Sequence, residues 1–279
     1  INIRDGTYRE IVNVKSKHNL TFRGESRAGT RIAYPNNNWV YANSHYCMIF
    51  KVNANDIALD NLTVTNTTPQ GGSQAFALMM ETGSKRFVCN NSEISSFQDT
   101  ILINTSDNTA YFRDTLIQGD VDYIWGGGNC FFTNCEMRSL RATGGYVTQA
   151  RTAANSNGMS FVKCAFTVPS SGYVNCLFGR AINTTNGNVA IVNCRIDTSA
   201  YTGWNASDVA NANLNLRWWE FGNSNLAATA AVAFNGTQIG VTNNDPRLLA
   251  AQDAVQWLNG WTPALLPNIL SQPTNQTLS

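Results

Sequence analysis

Apolar and polar positions along the chain come in short bursts of strand length, and one phrase of such a burst recurs. It reads IALDNLTVTN (57–66), RFVCNNSEI (86–94), AYFRDTLIQG (110–119), CFFTNCEMRS (130–139), SFVKCAFT (160–167) and AIVNCRID (190–197). Each copy holds an apolar pair, a polar step containing Asn, Asp or Lys, then one aligned position and a further apolar residue. At the aligned position stand Leu62, Ser92, Thr115, Cys135, Cys164 and Cys194, at steps of 30, 23, 20, 29 and 30 residues. HNLTFRGES (18–26) reads as an earlier copy. Short strands at a period of 20–30, with Asn and Gly turns and almost no helix signal, are the mark of a solenoid. The pattern predicts an all-β, single-stranded parallel β-helix, one domain over residues 1–279, in which each coil gives one strand to each of several stacked sheets. A β-sandwich or a propeller is the alternative. Irregular steps suit a coil with variable loops better than the roughly 40-residue blade of a propeller.

The two ends read differently. NDPRLLAAQDAVQWLNGWTPALLPNIL (244–270) carries Leu, Ala, Val and Trp near helical spacing, then prolines. It predicts a short helix and an extended tail, with 246–279 capping the last coil. The start, INIRDGTYRE, is already strand and turn, so an N-terminal segment is expected to precede it.

Composition narrows the class. Charged residues make up 13% of the 279, and the formal net charge is +1. Such a chain has no global field to hold nucleic acid or an anionic membrane, and no apolar run approaches the roughly 18 residues of a membrane span. The seven cysteines form no CxxC pair, and no His/Cys set has zinc spacing. They are expected as buried apolar thiols, with Cys135, Cys164 and Cys194 in an inward ladder, the alternative being one or two disulfides of unread connectivity. His18 and His45 lie far from every other motif.

Against this background the carboxylates of GDVDYIWGGG (119–128) stand out. The stretch has strand composition, which predicts Asp120 and Asp122 on one face. SSFQDTIL (95–102) places Asp99 23 residues, one coil, before Asp122. Strands in a sheet lie about 4.8 Å apart, so stacking predicts the Asp99 and Asp122 carboxylates side by side. Two such groups do not both ionise easily. An arginine favours ionisation of the one it touches, and Arg180 of LFGRAIN (177–183) lies two coils on. Gln98, Gln74 of SQAFAL (73–78) and Gln149 of YVTQAR (146–151) complete the set. One carboxylate nucleophile, one carboxylic acid and amide donors suit acyl transfer through an oxyanion. Stacked polar ladders also occur as turn chemistry, and Asp99 could simply end a strand.

Taken in order, SQAFAL, FQDT, GDVDYIWG and GR resemble the signature of pectin methylesterases. DGTYRE (5–10), Gly203-Trp204 and WWEFGNSN (218–225) extend the resemblance over most of the chain. It implies a right-handed parallel β-helix and a metal-free esterase, without cofactor, acting as a monomer on methylated galacturonan. Asp122 would attack the C6 methyl-ester carbonyl. Asp99 would protonate the leaving methanol and then activate water. Gln74 and Gln98 would hold the oxyanion, and Arg180 would fix Asp122 and keep it ionised. Phe76, Tyr123, Trp125 and Trp204 are candidate aromatic walls of a sugar cleft, Trp204 foremost, with Gln149 also at the substrate. Asp120 is expected as a neighbour of the site and not a reactant. Work on a wall polymer implies export, to the extracellular space or a periplasm.

Two positions depart from the family pattern. Ala181-Ile182 stands where G-R is usually followed by Pro-Trp, and VTQAR is one residue shorter than the usual segment. Both touch substrate contacts more than the acid–base pair. Competing readings are a lyase or glycosidase on the same fold and an inactive carbohydrate binder. A lyase would want a calcium-binding carboxylate cluster and a basic residue. A retaining glycosidase would also use paired carboxylates, but glutamine donors favour an oxyanion.

Overall fold

The computed structural model describes residues 1–40, 46–240 and 244–263. Within them the chain winds as a parallel β-helix. Three parallel sheets of 10, 9 and 8 strands run the length of the molecule, and as far as Asn225 every third strand in sequence falls in the same sheet. A coil therefore visits the sheets in turn. Thr109–Arg113 lies in the first, Leu116–Gly119 in the second and Ile124–Gly126 in the third.

The recurring phrase is the corner between the first sheet and the second. Its polar step ends in a residue with left-handed backbone: Asn61, Asn91, Asp114, Asn134, Lys163 and Asn193 have φ between 43° and 58°, and Gly222 continues the column at 62°. Asn and Asp visit this region at lower cost than most residues because their short side chains hydrogen-bond locally. The side chains also stack, with Asn91 Nδ2 donating to Asn61 Oδ1 at 2.9 Å. The residue after each corner turns inward. Cys135, Cys164 and Cys194 follow one another there, and Ala165 N and Arg195 N bond to the Cys135 and Cys164 carbonyls of the preceding coils at 2.9 Å. All seven cysteines are buried thiols.

The interior is filled by residues in register. Phe112 pairs with Phe132 and Phe132 with Phe161, so their rings stack at 4.7 Å and 4.6 Å with interplanar angles of 14° and 10°. Tyr123, Tyr201, Trp204 and Trp218 belong to the same buried cluster.

The C-terminal segment departs from the expected end cap. Helices α1 (Ala206–Val209), α2 (Pro246–Gln252) and α3 (Ala254–Trp257) are the helices among the described residues. Asp245 and Asp253 cap α2 and α3 by accepting from backbone N–H groups one turn in. The two helices lie along the flank of the first sheet, not across its end. Leu248, Ala251, Trp257 and Leu258 bury Phe131, Val162, Ala190 and Val192 there. These outward positions are apolar, so the helices go where apolar surface needs cover. The predicted extended tail, from 264 on, lies outside the described residues, as does His45.

Candidate active site

The site lies along the third sheet, where strands Phe76–Met80, Ile101–Ile103, Ile124–Gly126, Tyr146–Ala150 and Cys176–Gly179 are neighbours. Ile101 pairs with Ile124, which is the 23-residue offset that separates Asp99 from Asp122. Both aspartates precede their strands by two residues. The expectation that Asp120 and Asp122 share one face of a strand is corrected here. Val121 makes only an isolated bridge to Gln98, and Asp122 has φ 49°, as Asp99 has φ 62°. Two stacked left-handed residues lift the two carboxylates out of the pleat, at a local cost of about 1–3 kcal/mol each. Asp99 N donates to Val121 O at 3.0 Å, locking the two corners together. Gly119 permits this approach. A Cβ there would stand 2.6 Å from Thr100 Oγ1 and 2.8 Å from Phe97 O.

A cavity of ≈ 600 Å³ opens over this row. Its lining includes Gln74, Gln98, Asp99, Asp122, Trp125, Gln149 and Arg180 of the predicted set, with Asn38, Arg151, Ile182 and Asn183 in addition. Arg180 grips Asp122 as a fork, Nε to Oδ1 at 2.9 Å and Nη2 to Oδ2 at 2.6 Å. Its guanidinium lies over the Tyr146 ring at 4.4 Å. Gly179 lets this strand close in, since a Cβ would fall 2.5 Å from Thr148 Oγ1.

The two carboxylates differ in surroundings. Asp99 and Asp122 are each 7% exposed. Burial, then the Asp122 charge, pushes Asp99 well above the ordinary carboxylate range. Burial also raises Asp122, but the Arg180 hydrogen bonds and charge oppose it, while Asp122 raises Arg180 in return. Both carboxyls are thus raised, Asp99 the further, so Asp122 is the readier of the two to ionise and Asp99 the readier to keep its proton. The nearby Cys47 thiol is pushed up by burial to about 11, which leaves it no thiolate to attack with at neutral pH.

The glutamines divide. Gln74 accepts from Ser73 Oγ at 2.7 Å, and its Nε2 and the Gln98 amide meet no hydrogen-bond partner among the described residues, so both can serve a ligand. Gln149 is spent at both ends. Its Oε1 accepts from Arg151 Nε at 2.8 Å and its Nε2 donates to Ile182 O at 2.7 Å. It positions the 180–183 segment, which Asp208 of α1 also holds through Ala181 N at 2.8 Å.

Three of the aromatic candidates do not line the cavity. Trp204 is 1% exposed and stacks on Trp218 at 4.8 Å, with Nε1 donating to Glu220 at 2.7 Å. Tyr123 faces the interior beside Ser139. Phe76 is fully buried and backs Trp125 at 5.8 Å. Inward registers took Trp204 and Tyr123, because a solenoid of this width needs large side chains to fill it, while Phe76 is buried in a separate cluster with Met48, Met79, Leu102 and Trp125. Trp125 alone faces the cavity. Asp120 does not line it; it is buried behind the pair and accepts from Gln70 Nε2 at 3.0 Å. Sequence reasoning passed over Arg151, although it ends the VTQAR motif two residues, and so one face, from Gln149.

The pectinesterase family profile matches residues 1–253. The chain belongs to the pectinesterase family. Among curated relatives it is similar to "Probable pectinesterase 8" of Arabidopsis thaliana, at 26% identity over 273 residues, covering 90% of this chain and 66% of that one. It is also similar to "Pectinesterase/pectinesterase inhibitor U1" of Solanum lycopersicum, at 31% identity over 59% of this chain and 28% of that one. The chain thus spans under two thirds of either relative's length. The fold matches the pectin methylesterases from Yersinia enterocolitica (TM-score 0.78, 21% identity, 94% of this chain and 93% of that one) and from carrot (TM-score 0.78, 22% identity, 93% and 83%). Among the described residues no helix is long and apolar enough to cross a membrane.

Proposed function

We propose that this pectinesterase-family chain hydrolyses the C6 methyl esters of galacturonan, releasing methanol and leaving free carboxylates on the polymer, outside the cell. The observation that carries the reading is the asymmetry of the stacked pair: Arg180 forks onto Asp122, and Asp99 has no ion pair among the described residues. That is the division of labour ester hydrolysis needs. A carboxylate oxygen of Asp122 attacks the ester carbonyl, and the carbonyl electrons move onto its oxygen. The amides of Gln74 and Gln98 donate to this oxyanion. As the intermediate collapses, Asp99 gives its proton to the methoxy oxygen and methanol leaves. The acyl group stays on Asp122 as an anhydride. Asp99, now ionised, takes a proton from water, and the hydroxide attacks the anhydride carbonyl. The acid departs, Asp122 is regenerated as carboxylate and Asp99 as acid.

The reading is tested by methanol release from highly methylated pectin, comparing wild type with Asp122→Asn. Wild type should release methanol, and the folded variant should lose the rate by about 10³-fold or more. No release by wild type from polymer or short methylated oligomers would overturn the reading. The exposed Ile182 at the cavity rim, 40% accessible, would then argue for a carbohydrate binder.

A further inference from the structure

Asp120 is a buried carboxyl that the acid–base scheme does not use. It is 4% exposed and stands two residues before Asp122. Its main chain is tied to the coils on either side. Its N–H donates to Phe97 O at 2.8 Å, next to Gln98, and its carbonyl accepts from Tyr146 N at 3.1 Å. Gly145 allows that approach, since a Cβ there would stand 2.4 Å from Asp120 O. The side chain reaches a further coil. Its Oδ2 accepts from Gln70 Nε2 at 3.0 Å, while the buried Oδ1 meets no hydrogen-bond partner. A carboxyl in this setting that lost Gln70 would hold two unpaired oxygens, which disfavours opening the bond.

Gln70 sits in a tight turn. Gly72 N donates to Pro69 O at 2.9 Å, and Gly71 between them has φ 80°, which glycine adopts without steric penalty. The turn bridges coils, because Gln70 Nε2 also donates to Leu140 O at 3.4 Å. The chain that leaves it carries the first amide of the site. Ser73 holds φ 72°, a strained conformation for a residue with a Cβ. Its Oγ donates to Gln74 Oε1 at 2.7 Å. That bond occupies the amide oxygen and leaves Nε2 for the cavity that Gln74 lines. On the main chain, Gln74 O accepts from Asn38 N at 3.0 Å. Among the described residues, the Gln70–Asp120 bond is what joins this arm, residues 69–74, directly to the coil of Asp122.

We propose that Gln70 is a positioning residue: its bond to Asp120 clasps the 69–74 arm to the coil of Asp122 and so sets the Gln74 amide against the oxyanion that forms when Asp122 attacks. This rests on the esterase reading for the reaction. Ser73 passes the constraint from the turn to the amide. Asp120 is the anchor of the clasp and not a reactant, which accounts for a second carboxyl beside the nucleophile.

Gln70→Met tests the clasp, because it keeps the length of an exposed side chain and removes the donor. Asp120 stays unchanged, since its charge acts on both Asp99 and Asp122 and altering it would mix two effects. The first measurement needs no substrate. Amide hydrogen exchange read by mass spectrometry should run about tenfold faster or more over 67–75 in the variant than in wild type, with 101–103 and 124–126 unchanged. Equal exchange over 67–75 in the two proteins overturns the proposal, and so does faster exchange spread over all three segments. The second measurement is a cycle on methanol release with Gln70→Met, Gln74→Ala and the double variant. Gln70→Met should lower kcat about tenfold and leave KM within about twofold, because an oxyanion donor acts in the transition state and not on bound substrate. Gln74→Ala should lower kcat about 10²-fold, and adding Gln70→Met to it should lower kcat no further. Additive losses, or an unchanged kcat in Gln70→Met, overturn the proposal and leave the esterase reading standing. Faster exchange over 67–75 with no methanol from wild type overturns the esterase reading and leaves the clasp of the arm standing. Should Gln70→Met fail to fold, Gln70→Ala takes its place in both measurements with the same outcomes.

Discussion

At the scale of single residues, Asp99 and Asp122 are placed by the same backbone device and separated by what touches them. Each sits in a left-handed corner two residues before a strand. Arg180 forks onto one, and burial beside that charge acts on the other. A carboxylate whose proton affinity is raised by folding weakens the fold when it must ionise. Asp99 contributes stability that is fully present below the ordinary carboxylate range and is lost as pH rises through its own raised value. Asp99→Asn removes this loss. Wild type and variant should melt together near pH 4, and the variant should melt higher at pH 7, by roughly 2–4 °C for each kcal/mol relieved in a chain of this size. Thermal melts at both pH values check this, and a gap that is absent or reversed at pH 7 contradicts the assignment of Asp99 as the protonated partner. The 23-residue spacing of these aspartates was legible because one coil separates them. Their backbone was not, since strand composition around Val121 says nothing of a φ that only the neighbouring coil enforces. Nor was the burial of Trp204 and Tyr123. An aromatic near a motif reads the same whether its register turns it inward or outward.

At the scale of the element, the recurring phrase is a corner, and its chemistry repeats more faithfully than its length. Steps from 20 to 30 residues all return to a left-handed residue followed by an inward one. The variable part of each step is loop, which a solenoid tolerates because only the corner and the strands must stack. This is why the fold class could be read from sequence while the bounds of individual strands could not. One corner breaks the rule. Lys163 holds φ 55° where its neighbours are Asn134 and Asn193, and its side chain is exposed. A lysine gains nothing local from that conformation, whereas asparagine does. Lys163→Asn should therefore raise stability by about 1 kcal/mol without touching the cavity. Chemical denaturation with unchanged slope would register it as a higher midpoint. A lower midpoint would mean that the corner is held by contacts of the lysine stem.

At the scale of the whole molecule, the division between site and support is a division between faces. The cavity lies on the third sheet, and α2 and α3 cover the first. The helical spacing in 244–260 was legible; the surface it covers was not, because an apolar helix face does not name its partner. Trp257 is the pin of this cover. It is 1% exposed, and its Nε1 donates to Gly158 O at 2.9 Å. Gly158 itself bonds to Cys130 N of the coil before it, at 2.7 Å, so the helix is tied to the stack and does not merely rest on it. Trp257→Ala should cost about 3–5 kcal/mol through lost burial and the cavity left behind. Because coils contact mainly their neighbours, that loss should appear in the unfolding transition and not in the geometry of the opposite sheet. The folded variant should thus keep the wild-type kcat for the proposed methanol release at a temperature well below its lowered midpoint. A fall in kcat that parallels the fall in stability would instead mean that the cover on one face holds the carboxylate corners on the other.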